Sequence, residues 1–169
     1  MTSEGRVWKF DDDINTDLII PGRHLDNYEQ SHLARHAMEG ASREFAAAVR
    51  PGDIIVAGRN FGCGSSREQA VTALKSAGVS AVVAKSFARI FYRNAINLGM
   101  PVLESPDAHD SFSDGDRAAI DRNTGTLSSA DGSKKASLKQ IPPNAKEVLE
   151  SGGLVPYLRQ KMIEQREAE

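Results

Sequence analysis

Asp53-Ile54-Ile55-Val56-Ala57-Gly58-Arg59-Asn60-Phe61-Gly62-Cys63-Gly64-Ser65-Ser66-Arg67-Glu68 is the stretch that decides the fold. Its first half, residues 53–57, is a β-branched apolar run bounded by Pro51-Gly52 and Gly58, which reads as a buried strand. A glycine-rich loop follows over residues 60–64. Ser65 and Glu68 then have the spacing of a capping box, predicting that a helix starts there. Ala70, Val71, Leu74 and Ala77 form its apolar face, and Gly78 supplies the residue that tolerates a left-handed cap.

Downstream the alternation repeats. Residues 79–84 read as a second buried strand, and Ser86 is the expected cap of a second helix carrying Phe87, Ile90, Phe91, Ala95 and Leu98 on one face. Gly99 closes it before a third apolar run, Met100-Pro101-Val102-Leu103. Strands alternating with helices imply parallel pairing and right-handed crossovers, so an α/β fold with a parallel β-α-β-α-β core is expected over residues 53–103.

Outward from that core, residues 5–10 read as a short strand and Asp11-Asp12-Asp13 as a turn leading into a polar loop through Gly22. Residues 29–38 suggest a short surface helix. Residues 118–139 carry the turn signals Asn123-Thr124-Gly125 and Asp131-Gly132, the mark of marginal hairpins. Pro142-Pro143 opens a last helix stopped by Gly152-Gly153, and the charged tail, residues 160–169, is expected to fray. The 169 residues fit one domain.

Composition narrows the function classes. Hydrophobic residues at 40% and charged residues at 26% are ordinary globular values. A net charge of −2 with no basic stripe recommends neither nucleic acid nor an anionic membrane as partner. No apolar run approaches the roughly 18–20 residues needed to span a bilayer, and the first residues lack a secretory signal, so a cytoplasmic protein is expected. Cys63 is the only cysteine, which excludes an internal disulfide and excludes this chain as sole ligand set for a thiolate-held cluster.

The glycine loop carries the chemistry. A strand-to-helix turn presents unpaired backbone N–H groups at the positive end of a helix dipole, where an anion docks. Gly62 and Gly64 allow close backbone approach, Ser65 and Ser66 supply hydroxyls, and Arg67 offers a planar fork for carboxylate. No Gly-Lys-Ser/Thr follows, which disfavours a nucleotide-binding Walker loop. The competing local reading makes Ser65 a cap and Arg67 a surface cation.

The segments FDDDINTDLIIPGR (residues 10–23), GRNFGCGSSREQA (58–70), AKSFARIFYRNAINLGMPVLE (84–104) and GGLVPYL (152–158) resemble the small subunits of the 3-isopropylmalate dehydratase and homoaconitase family, and the mobile fourth domain of aconitase. The resemblance spans nearly the whole chain and is weakest from residue 105 to 138. It implies a swivelling β/β/α three-layer domain, here residues 1–169, that covers the active site of a large subunit holding a [4Fe-4S] cluster. This chain alone then binds no cofactor and no metal. The implied reaction is dehydration and rehydration of a small di- or tricarboxylic hydroxy acid. By motif, Ser65 matches the base that removes the proton, and Ser66 and Arg67 match positions that hold substrate carboxylate.

Asp12, Asn15, Thr16 and Asp17 match a family signature and read as turn scaffold. Residues 21–27 occupy the loop that the resemblance sets against the variable side of the substrate, making Arg23 and His24 substrate-binding candidates. Many relatives carry an aromatic at His24, and those handling homocitrate-like acids tend to carry arginine where this chain has Asp26. A carboxylate there repels an extra distal carboxylate and argues against a homoaconitase-type substrate, leaving siblings of the citramalate/citraconate or dimethylmalate type open. His32 and His36 have i, i+4 spacing, but with no third ligand in view they read as a solvent-facing pair. Cys63 reads as a small side chain at a crowded turn rather than a reactive thiol. Arg89 and Arg93, one turn apart, read by default as a solvated face. A stand-alone anion- or nucleotide-binding module is the alternative of a different class.

Overall fold

The computed structural model describes residues 2–168. The chain runs as β1 (Thr2–Lys9), α1 (Thr16–Ile19), a 3-10 turn (Gly22–His24), α2 (Gln30–Arg35), α3 (Phe45–Ala48), β2 (Ile54–Ala57), α4 (Glu68–Ala77), β3 (Ala81–Ala84), α5 (Arg89–Asn97) and β4 (Val102–Glu104). It continues through α6 (Ala108–Ser111), β5 (Arg117–Asp121), β6 (Thr126–Ser129), β7 (Lys135–Ser137), α7 (Pro143–Glu150) and α8 (Leu154–Glu167). The strands form one seven-stranded sheet in the order β4-β3-β2-β1-β5-β6-β7. β1 to β4 pair in parallel, and β5 to β7 extend the sheet antiparallel from β1.

Side chains alternate faces along a strand, and here both faces are buried. Trp8, Ile55, Ala57, Val82, Ala84 and Val102 point toward the helices, packing with Leu33, Met38, Phe45, Val71, Leu74 and Phe91. Val7, Ile54, Val56, Ala81, Val83 and Leu103 point the other way. They meet Ala118, Ile120, Leu127, Ala136 and Leu138, so the antiparallel half curls back over the parallel half. The result is the expected β/β/α layering, with each fully buried Ile or Val contributing about 1.5–3 kcal/mol. The parallel β-α-β-α-β core is present as read from the sequence. The hairpins expected to be marginal are β5 to β7, and they are tied into the sheet through β1.

Asp53, just before β2, bolts the first two strands together. Its carboxylate accepts from Arg6 N (3.0 Å), Trp8 Nε1 (3.0 Å) and Arg50 N (2.9 Å) while the residue is only 3% exposed.

Several local expectations are corrected. The capping box does not form: α4 begins at Glu68 behind Arg67, with no side-chain cap, because Ser65 is drawn away by Thr16, whose hydroxyl donates to Ser65 O (2.8 Å). Ser86 does not cap α5, whose first residue is Arg89; its Oγ instead accepts from Asn60 N (2.8 Å). The loop before Gly22 contains α1, capped by Asn15, whose side chain accepts from Leu18 N (2.9 Å). The helix expected over 29–38 is shorter, and Leu33, Ala37 and Met38 are fully buried rather than superficial. The tail expected to fray continues as α8 to Glu167, with most of its residues exposed. No helix among the described residues is long and apolar enough to cross a membrane.

Candidate active site

The glycine loop leaves β2 at its C-terminal end and is stitched on both sides. Gly62 N donates to Ile14 O (2.7 Å) and Thr16 N to Cys63 O (2.9 Å), while Phe61 N donates to Ser86 O (3.1 Å) and Ala88 N to Phe61 O (3.0 Å). Gly62 has φ +82°, and a Cβ there would fall 2.1 Å from Phe91 Cγ, so the backbone packs directly against that side chain. Gly64 has φ +92°, and a Cβ there would come no nearer than 3.6 Å to Thr16 Oγ1, so conformation alone demands glycine there. Thr16, 4% exposed, acts as scaffold through its backbone and its hydroxyl.

These ties hold Ser65 and Ser66 exposed on the lip of a cleft of about 430 Å³. Arg67 joins them on one wall, and Arg89, Arg93 and Asn94 of α5 form the other. Ser65 stands two residues ahead of the α4 cap rather than at it, so its hydroxyl is available to a ligand. Arg89 and Arg93, read from sequence as a solvated face, thus share a cleft with the glycine loop. Their one-turn spacing was the signal, but only the packing of α5 beside the loop shows that they face it.

Arg67 is positioned by the segment that precedes the 3-10 turn. Its Nη1 donates to Asp17 Oδ1 (3.0 Å) and to Ile20 O (3.0 Å). The Arg67 hydrogen bond, helped by Gly22 N and then by the charges of Arg67 and Arg23, holds the Asp17 carboxyl below its ordinary range. One end of the guanidinium is therefore anchored, leaving the other side of the fork for a carboxylate. Cys63, half-buried, has its thiol pushed up, first by burial and then by Asp13, which agrees with a scaffold role.

Arg23 and His24 do not line this cleft. Arg23 is exposed and pairs with Glu39. His24 is half-buried, with Nε2 3.1 Å from Glu39 Oε2, and His36 Nδ1 lies 2.5 Å from the same oxygen. Burial above all, then His36, Arg23 and His32, pushes His24 below the ordinary histidine range. Burial likewise lowers His36, followed by His32, Arg35 and Arg23. The third histidine missing from the sequence reading is His24: the turn sets it against His32 and His36.

A curled three-layer sheet whose glycine loop and arginine-bearing helix enclose an anion-sized cleft defines an aconitase-type α/β domain. Residues 48–108 match the family model of the aconitase C-terminal domain. The chain is 49% identical over 162 residues to the 3-isopropylmalate dehydratase small subunit of Thermodesulfovibrio yellowstonii, covering 96% of each. It is 54% identical over 153 residues to the methanogen homoaconitase small subunit of Methanothermobacter thermautotrophicus, covering 90% of this chain and 88% of that one. A crystal structure titled 3-isopropylmalate dehydratase, from Methanocaldococcus jannaschii, superposes over 100% of both chains with a TM-score of 0.96 at 44% identity. The chain belongs to the family of 3-isopropylmalate dehydratase small subunits, hydro-lyase components that also include homoaconitase small subunits.

Proposed function

We propose that this chain is the small subunit of a 3-isopropylmalate dehydratase, a cytoplasmic component that acts with a large subunit to interconvert 2-isopropylmalate and 3-isopropylmalate through 2-isopropylmaleate in leucine biosynthesis. It works as one swivel domain, residues 1–169, closing over the large subunit's site. The observation that carries the reading is the shared cleft: Ser65, Ser66 and Arg67 face Arg89 and Arg93 across it. Three cations fit a dicarboxylate, and Ile90, exposed on the same wall, offers apolar contact to an alkyl branch.

The [4Fe-4S] cluster implied by the family does not fit this chain's donors. Such a centre needs several thiolates, and the chain offers Cys63 alone, its thiol held toward the protonated form. In this reading the cluster belongs to the large subunit, and this chain binds and moves a proton. Ser65 Oγ takes the proton from the carbon next to the hydroxyl-bearing carbon and returns it on rehydration. A serine hydroxyl is too weak a base in water, so the alkoxide depends on the cationic cleft to lower its cost. Arg67, anchored by Asp17, holds one substrate carboxylate, with Ser66 beside it. The turn bearing Arg23 and His24 abuts this lip, Gly22 lying 3.8 Å from the Arg67 guanidinium when given a Cβ, and faces the substrate's variable side on closure.

A homoaconitase-type subunit is the second reading, favoured by the 54% identity to the methanogen relative. Asp26, exposed after the 3-10 turn, weighs against a substrate with an extra carboxylate. The test is anaerobic turnover of this chain with its genomically paired large subunit, offering 2-isopropylmaleate and cis-homoaconitate side by side, with each subunit alone as control. Turnover of 2-isopropylmaleate only in the mixture is expected. Preference for cis-homoaconitate would transfer the function to the second reading, and failure to form any complex would revive a stand-alone anion-binding module.

A further inference from the structure

We propose that His24, His32 and His36 form a binding site for a divalent cation of the zinc class, which staples the 3-10 turn to α2. Each of the three offers a ring nitrogen, and these lie within 4.8 Å of one another, the one such group of three among the described residues. His32 and His36 come from α2 and its cap, one turn apart; His24 reaches over from the turn, its ring stacked on His36 at 3.6 Å and edge-on to His32 at 5.4 Å.

The ligand chemistry follows from the donors. Imidazole nitrogens suit zinc, cobalt, nickel or copper and not magnesium or calcium, whose preference is oxygen. Tetrahedral Zn–N bonds place neighbouring nitrogens about 3.3 Å apart with the cation in the plane of each ring, so the stacked His24 and His36 rings must swing out of their stack by side-chain rotation as the nitrogens close by up to about 1.5 Å. A carboxylate on the opposite ring nitrogen fixes tautomer and orientation in metal-bound histidines. Glu39 stands ready for that role: its Oε2 contacts His36 Nδ1 and His24 Nε2, so a cation bound at the opposite nitrogen of either ring would keep that support. Three protein donors leave a fourth position for water or an anionic oxygen.

The site has a structural consequence independent of the substrate reading. The turn is tied to Asp17, whose Oδ1 accepts from Gly22 N (3.1 Å) as well as from Arg67. A cation joining His24 to α2 therefore stiffens the support of Arg67.

The experiment titrates the metal-free full-length chain with Zn²⁺ by calorimetry and with Co²⁺ by visible absorption. One equivalent bound is expected, with the intense spectrum of four-coordinate Co²⁺ and a rise in Tm of about 5–10 °C at a hundredfold excess of Zn²⁺ over Kd. His32→Ala should weaken binding at least 100-fold and Glu39→Gln by about 10-fold or more, with far-UV circular dichroism unchanged. Zn²⁺ should also shift the imidazole ¹⁵N resonances of all three histidines and not those of His109 in the unsubstituted chain, a readout that survives if a variant misfolds. Binding weaker than about 10 μM, equal binding by His32→Ala and the unsubstituted chain, or unmoved histidine resonances would overturn the proposal.

Discussion

Arg67 Nη1 donates to Asp17 Oδ1 at 3.0 Å across fifty residues of sequence, so the cation beside the glycine loop is aimed by the residue that follows Thr16. Asp17 is exposed, so its pair with Arg67 adds only a small stability and its main role is aim. Asp17→Asn removes the charge that orients the fork. The expected outcome is a several-fold rise in KM for the hydroxy dicarboxylate with kcat little changed, read from steady-state kinetics of the assembled enzyme.

The same pair gives a pH signature. A carboxyl whose folded pKa lies below its unfolded value, about 4 for aspartate, contributes stability above that value and loses it as pH falls through the lower folded pKa. Chemical denaturation of the unsubstituted chain and Asp17→Asn should therefore differ at pH 5–7 and converge in acid. A gap that widens as pH falls would contradict the pairing.

Ser65→Ala tests the proton-transfer role. A fall in kcat of about 10²–10⁴-fold is expected for loss of a general base, with complex formation and circular dichroism retained. Unchanged turnover in the assembled enzyme would remove Ser65 as base.

The arginines across the cleft test the shape of the anion site. Arg67→Lys should raise KM about tenfold or more because an ammonium does not reproduce the fork that spans Asp17, Ile20 O and substrate. Arg89→Ala and Arg93→Ala should each raise KM with stability unchanged, since both are exposed. An unaltered KM in all three would empty the cleft of its assigned role.

Two glycines of the loop separate space from conformation. Gly62→Ala combines a positive φ with a Cβ driven into the Phe91 ring and should cost about 3 kcal/mol, lowering Tm by about 6–12 °C. Gly64→Ala carries only the backbone strain, about 1–2 kcal/mol. Thermal denaturation of the isolated chain ranks the two, and equal losses would contradict the packing against Phe91.

Much of the architecture was legible before any coordinates. The runs 54–57, 81–84 and 102–103, the stops at Gly78 and Gly99, and the proline-led start of α7 are local signals, written in β-branching, left-handed caps and ring-fixed φ. Two capping assignments failed because Ser65 and Ser86 had non-local partners that a spacing rule does not see. Thr16 takes the backbone of one, and Asn60 takes the hydroxyl of the other.

The amino-acid sequence by itself determined the parallel core, the glycine loop with its serines and arginine, and, through long specific motifs, the family. Those properties depend on residues near one another in the chain, where propensity and pattern act. Tertiary structure alone decided that Arg89 and Arg93 share a cleft with Ser65, that Asp17 aims Arg67, and that His24 completes a trio with His32 and His36. Each of these joins elements that meet only when helices settle on the sheet, and burial of apolar faces drives that settling without regard to which polar residues it brings together.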